Sequence, residues 1–170
     1  MTRLLPPPDA TSFRAAMRLP ATSVTVLAAG SGAERNGLTA SAVCSLSDAP
    51  PMILACVNLN SAALPLIRET RCFSANFLTD AQSHVAERFA GRTRVYGADR
   101  FAEGDWQALA TGAPVLMDAL AVFDCSLERE HDSPTHAILI GRVMGMIRND
   151  DRRSLVYSAG AFAYPAELRA

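Results

Sequence analysis

Long apolar runs, an excess of charge of one sign and metal-binding motifs are all missing from this 170-residue chain. Charged residues make up 19% of it, the formal net charge is −1 and the pI is about 6.3. Without a basic excess, we expect neither nucleic acid nor an anionic membrane as a partner. No stretch of about 18 apolar residues could span a bilayer. Prolines at residues 6–8 stand where a signal peptide has its apolar region, so we expect no signal peptide.

The cysteines are few and far apart, and none forms a C-x-x-C pair: Cys44, Cys56, Cys72 and Cys125. Each lies in an apolar run, where a thiol is usually buried and reduced. We therefore expect no disulfide, no metal site and a cytoplasmic location.

A glycine fingerprint for a Rossmann unit is also missing. Gly30-Ser31-Gly32 is not followed by a third glycine and leads into a strand. Regular alternation of strands and helices is absent too. A nucleotide cofactor, if one binds, would therefore not use a doubly wound parallel sheet.

The chain does contain many short β-branched and apolar segments separated by turn residues. The predicted strands are residues 23–29, 38–47, 52–57, 72–78, 115–117, 121–130, 136–147 and 155–158. A short helix is predicted to be capped by Thr11 or Ser12, with Phe13, Ala16 and Met17 on one face. This pattern predicts a mainly β fold, a closed or partly closed antiparallel barrel with a few peripheral helices. Residues 1–10 are predicted to be a flexible arm, and residues 11–170 a single domain.

The most informative segment is residues 38–47, LTASAVCSLS. In a single strand, alternate residues share a face. One face would then turn Leu38, Ala40, Ala42, Cys44 and Leu46 toward a core. The other would carry Thr39, Ser41, Val43, Ser45 and Ser47, four of them small hydroxyls. An exposed edge strand gives the same pattern as a surface that admits a flat heterocycle or a phosphate, so the pattern leaves both open.

The order of segments resembles the short-chain flavin reductases, a family with an FMN-binding split barrel that supplies reduced flavin to separate monooxygenases. The strongest matching pieces are T-A-S-x-x-x-S-x-S-x-x-P-P from residue 39 and H-x-I-x-I-G-x-V from residue 136. Further pieces match in order along nearly the whole chain: FRAAM (13–17), SVTVL (23–27), FSANFL (73–78), AERFAG (86–91), GAPVLMDALAVFDCSLE (112–128) and SLVYSAGAF (154–162).

The resemblance implies a set of flavin-binding residues on three elements: Ser23, Val24 and Thr25; Thr39, Ala40, Ser41, Ala42, Ser45, Leu46 and Ser47; and Phe89, Gly91 and Arg92. The first group would line the ring edge, and the second would contact the ring and its ribityl-phosphate tail. Arg92 could pair with a phosphate. A solvated cation at a helix end is an equally ordinary explanation for Arg92.

The resemblance also implies a role for His136 on the nicotinamide side of the flavin. In the family a G-D-H sequence begins this strand, whereas here Pro134-Thr135 precedes the histidine. Hydride transfer needs the nicotinamide C4 about 3–3.5 Å from the flavin N5, so a second slot above the ring is required. His136 is the catalytic candidate for that slot, and Tyr157 or Phe162 could help to form it.

The implied function is an NAD(P)H:flavin oxidoreductase that reduces FMN or FAD with NADH or NADPH. Its implied partners are a second copy of the chain and a flavin-dependent monooxygenase that receives the reduced flavin. Two other classes stay open: a non-catalytic flavin- or haem-binding split barrel, and a purely structural β-barrel interaction domain.

Overall fold

The computed structural model describes residues 7–167. Its helices are α1 (Ala10–Met17), α2 (Ala63–Thr70) and α3 (Ser83–Phe89). Its strands are β1 (Thr22–Ser23), β2 (Thr25–Ala29), β3 (Asn36–Ala40), β4 (Val43–Asp48), β5 (Pro51–Asn58), β6 (Cys72–Phe77), β7 (Trp106–Ala108), β8 (Pro114–Leu116), β9 (Ala121–Asp132), β10 (His136–Arg148), β11 (Val156–Ser158) and β12 (Ala161–Ala163).

Seven strands form one antiparallel sheet in the order β3-β2-β6-β9-β10-β5-β4. The two edge strands, β3 and β4, follow one another in the chain with only Ser41 and Ala42 between them. The two edges of the sheet must therefore approach each other at this corner, although they are not paired with each other there. The sheet is curled into a split antiparallel barrel, and the predicted fold class is confirmed.

All seven strands surround one apolar core inside the curl. Leu27, Phe73, Val57 and Leu139 are fully buried in it, and Leu38, Ala40 and Val43 of the edge strands pack against it. Helix α2 covers one end of this core with Leu64 and Ile67. Because strands from both edges contribute to one core, its packing stabilises the curl of the whole sheet.

A second core lies on the outer face of β2 and holds the 97–117 segment against the sheet. Val26 and Ala28 face it, and α3 contributes Phe89. Phe101 and Trp106 anchor the segment, with ring centroids 4.9 Å from each other and 4.9 and 5.4 Å from Phe89. Such aromatic contacts add to the free energy gained by burial alone.

The N-terminal helix differs from the prediction in its capping residue. Asp9 caps α1, because its Oδ1 accepts hydrogen bonds from the backbone N–H groups of Thr11 and Ser12, each at 2.8 Å. Phe13 and Met17 are each 56% exposed, so the apolar face of the helix has no cover within the part of the chain that the structure describes. Residues 1–6 of the predicted arm lie outside the described residues.

The cysteines follow the prediction in part. The predicted burial is confirmed for Cys72 and Cys125, whereas Cys56 is half-buried. Burial, followed by the nearby Asp124, raises the pKa of the Cys125 thiol to about 12, so this thiol stays protonated and inert. The prediction of burial is wrong for Cys44, which is exposed on edge strand β4.

Candidate functional site

The hydroxyl-bearing segment is two strands, not the single strand predicted. Strand β3 ends at Ala40 and β4 begins at Val43 on the opposite edge of the sheet. The alternation of faces is not carried across this break: Val43 lies opposite buried Ala55, while Cys44 and Leu46 are exposed. The predicted core face is therefore correct for Leu38 and Ala40 and wrong for Ala42, Cys44 and Leu46, which are exposed.

The corner between β3 and β4 separates two clefts that share the residues Thr39, Ala40 and Ser41. The first has a volume of about 470 Å³ and is lined by Leu38, Thr39, Ala40, Ser41, Ala42, Cys56, Asn58, Ser133, His136 and Ile138. The second has a volume of about 200 Å³ and is lined by Val24, Thr39, Ala40, Ser41, Ala90, Arg92, Tyr157 and Phe162. Side chains of three predicted site segments thus meet at the split of the barrel.

Ser41 is the residue at this corner with free hydrogen-bonding groups. It is exposed, and it takes part in none of the hydrogen bonds found among residues 7–167. The Thr39 hydroxyl, by contrast, donates to the carbonyl of Ala86 in α3 at 2.6 Å. Thr39 therefore holds the corner against α3, while Ser41 can offer a hydroxyl and a backbone N–H to a ligand.

His136 lies in the first cleft at the start of β10, directly opposite Asn58 of β5. Its ring Nδ1 is 2.8 Å from the Thr135 hydroxyl. Its carbonyl accepts two hydrogen bonds from Ser133, one from the backbone N–H and one from the hydroxyl, each at 2.8 Å. These hydrogen bonds hold the tight turn before β10, and the turn fixes the position of the His136 backbone.

Arg92 lies in the second cleft and forms no ion pair with any described residue. Gly91, at φ +75°, makes the turn that carries the chain from α3 to Arg92. Phe89 is buried behind this turn in the outer core and lines neither cleft. Tyr157 and Phe162 stack edge to face at 5.6 Å and form the apolar wall.

Besides Phe89 and Gly91, five of the predicted residues lie outside these two clefts. Ser45 and Ser47 line a third, largely apolar cleft of about 450 Å³ at the β4 side, and Leu46 beside them is 46% exposed. Ser23 pairs with Val156 in the small sheet β1-β11-β12. Thr25 is fully buried between Ala40 and Phe77. His136 and Tyr157 also line different clefts rather than a common slot.

Four residues that line the first cleft were not predicted from the sequence: Cys56, Asn58, Ser133 and Ile138. Asn58 and Cys56 lie opposite His136 and Ile138 across the β5–β10 pairing. A prediction that paired these two strands in register would have found them.

The remaining chemistry of the described residues is limited. They contain no group of three or more His, Cys, Asp or Glu side chains that could hold a metal ion. None of their helices is both long and apolar enough to cross a bilayer.

The fold and the clefts define the class of the protein, a split antiparallel barrel with two clefts at the corner where its sheet edges meet. The model of the flavin reductase like domain matches residues 17–165, and the chain belongs to that family. It is 42% identical over 150 residues to the FMN reductase (NADH) RutF 2 of Methylorubrum extorquens strain PA1, covering 88% of this chain and 86% of the relative.

Two solved structures are similar over nearly the whole chain. BorF, the flavin reductase component of a bacterial two-component tryptophan halogenase, has a TM-score of 0.84 and 36% identity, covering 94% of this chain and all of BorF. The NADH:FAD oxidoreductase SgcE6 of Streptomyces globisporus C-1027, in complex with NAD and FAD fragments, has a TM-score of 0.85 and 29% identity, covering 97% and 98% of the two chains.

Proposed function

We propose that this protein is an NADH-dependent flavin reductase that passes its reduced flavin to a separate flavin-dependent monooxygenase. The observation that carries the proposal is the corner at residues 39–42, where small side chains and the free groups of Ser41 face a cleft that also holds His136. Membership of the flavin reductase like family supports the same reaction.

The residues present fit a flavin. The first cleft, at about 470 Å³, is within the usual size of small-molecule sites. Ala40, Ser41 and Ala42 leave room for a flat ring to approach the backbone, and the other wall offers Asn58 to the flavin and His136 to the nicotinamide. The flavin and the nicotinamide supply the hydride chemistry when they are bound. The chain itself has to bind and orient them, so no protein nucleophile is needed.

The charges of the two clefts favour FMN as the flavin and NADH as the reductant. The first cleft has no arginine among its described lining residues, so nothing there would pair with the additional phosphate of NADPH. Arg92 in the second cleft is available for the single phosphate of FMN. FAD and NADPH are the competing choices.

Steady-state kinetics across the four flavin and nicotinamide pairs tests the proposed function. We expect oxidation of NADH to depend on added FMN, with a lower kcat/KM for NADPH. FMN binding without flavin-dependent oxidation of either nicotinamide would indicate a non-catalytic flavin protein. A purified protein that neither shows flavin absorbance nor quenches FMN fluorescence would contradict both cofactor functions.

His136→Ala is expected to raise the KM for NADH about tenfold, the effect of losing one hydrogen bond to a ligand. The Kd for flavin should stay within about twofold, because the proposal places His136 on the nicotinamide side. Ser41→Ala is the matched variant, and it should weaken flavin binding more than NADH use. Fluorescence titration with FMN and initial rates at varied NADH measure both effects. An equal loss of flavin affinity in His136→Ala would contradict the placement.

We also propose that two copies of the chain associate through the outer face of β5 and β10. Paired apolar side chains stand half-exposed there, Cys56 with Ile138 and Leu54 with Ile140. This face is continuous with the first cleft, so a second copy would cover the cleft and exclude water from it. Sedimentation velocity should show a dimer, and Ile140→Glu should shift it to monomer with weaker flavin binding. A wild-type monomer would refute the association.

Three further proposals complete the description of the protein. The first is that residues 11–170 belong to one flavin reductase-like domain, which the pairing of β1 with β11 supports for the described residues. The second is a cytoplasmic location, which is proposed because the reaction draws on NADH. The third is a monooxygenase acceptor, which would take reduced flavin released from the clefts, and coupled product formation with a purified oxygenase tests that transfer.

A further inference from the structure

We propose that Thr135 is a positioning residue that orients the imidazole of His136 through its Nδ1 nitrogen. The Thr135 Oγ1 and His136 Nδ1 atoms are 2.8 Å apart, which is a hydrogen-bond distance. With Nδ1 engaged, Nε2 is the ring nitrogen left for a ligand in the first cleft. The kinetic consequence of this arrangement rests on the proposed function, which assigns His136 to the nicotinamide.

The backbone on both sides of this hydrogen bond is fixed. The Thr135 carbonyl accepts from the backbone N–H of Leu59 at 3.0 Å, which ties the turn to the end of β5. Ser133 donates twice to the His136 carbonyl, each time at 2.8 Å. Because Thr has a single stiff side-chain torsion, little further freedom is lost when its hydroxyl holds the ring.

Either atom of this pair can carry the proton, depending on the tautomer of His136, and the positioning role assigns the donor role to the Thr135 hydroxyl. The Thr135 hydroxyl donates to no other acceptor found among residues 7–167. A neutral imidazole has one acceptor nitrogen, so a hydroxyl that donates to Nδ1 leaves the proton on Nε2. Nε2–H is then a donor, and it suits an acceptor such as the carbonyl oxygen of a carboxamide. Thr135 thereby selects both the orientation of the ring and the polarity of its free edge.

The ring itself gives the direct test, by nitrogen NMR of full-length protein with labelled histidines at a pH where they are neutral. The chain has three histidines, and His136→Gln assigns the signal. His84 and His131 are exposed and serve as internal references. We expect the Nε2–H tautomer in the wild type, a several-fold rise in the Nδ1–H fraction in Thr135→Val, and recovery in Thr135→Ser. An unchanged tautomer ratio in Thr135→Val would overturn the positioning role.

Kinetics separates this inference from the proposed function. If His136 binds the nicotinamide, Thr135→Val should raise the KM for NADH about fivefold, the effect of one lost hydrogen bond, while kcat and the flavin Kd change little. Thr135→Ser should restore the KM. A changed tautomer ratio with an unchanged KM would support the positioning of the ring and contradict the nicotinamide role of His136 instead.

Discussion

Replacing Gly141 with alanine is expected to lower the free energy of unfolding by about 3 kcal/mol, as overpacking of a filled core does. A Cβ at this position would lie 2.6 Å from Cζ of Phe73 and 2.9 Å from Cβ of Cys125, closer than side-chain contacts allow. Phe73 is fully buried in the barrel interior and cannot move aside. For a chain of this length the loss corresponds to a fall in Tm of about 6 to 12 °C.

Gly145 on the same strand is the matched control. A Cβ there would lie 3.7 Å from Leu109, which is ordinary van der Waals contact, so Gly145→Ala should change Tm little. Phe73→Leu is the compensating change, because it removes the ring atoms that the new methyl group meets. The double variant Phe73→Leu with Gly141→Ala should be less destabilised than the sum of the two single variants. Thermal unfolding at one protein concentration measures all four, and strict additivity would contradict the steric explanation.

The effect at Gly141 also explains a piece of the sequence pattern. In the sequence analysis, Gly141 was noted only because it belongs to the motif H-x-I-x-I-G-x-V, which resembles the family. In the structure it stands at an irregularity in the β9–β10 pairing and lets Phe73 pack against the strand. No spacing within the motif indicates this contact, because Phe73 comes from a strand much earlier in the chain.

The fold was largely predictable because strand content and turn residues are local properties. The predicted strands 121–130 and 136–147, for example, are β9 and β10 of the structure, within two residues at each end. The break after Ala40 was not predictable in the same way. Nothing in residues 38–47 shows that the chain changes from one edge of the sheet to the other, and so Cys44 and Leu46 were assigned to the wrong face.

The candidate site was predictable on one wall only. Thr39, Ala40 and Ser41 adjoin in the sequence, so a pattern of small hydroxyls could reveal them. The opposite wall depends on Asn58 standing across from His136, a relation that exists only once β5 and β10 are paired in register. Residues that are neighbours in the sequence do not indicate that β5 pairs with β10 or in which register.

Ser41→Phe is expected to raise the Kd for flavin at least about 100-fold, a loss of about 2.7 kcal/mol of binding free energy. Ser41 lines both clefts, so a phenyl ring placed there would occupy space in each of them. The protein should still fold, because Ser41 is exposed and exposed substitutions change the free energy of unfolding by only about 0.5 kcal/mol. Fluorescence titration with FMN and with FAD measures the loss, and unchanged thermal unfolding confirms the fold.

Ser31→Phe is the matched control, since Ser31 is equally exposed but follows the far end of β2. It should bind flavin like the wild type. If Ser41→Phe also kept the wild-type Kd, the flavin would have to lie elsewhere, and the third cleft beside Ser45 and Ser47 would be the next candidate, because it is larger than a fourth cleft beside Ser31. Ser47→Phe would then abolish binding. If Ser41→Phe alone abolishes it, the flavin lies at the corner where the two edges of the barrel meet, because only there does a single side chain reach both clefts.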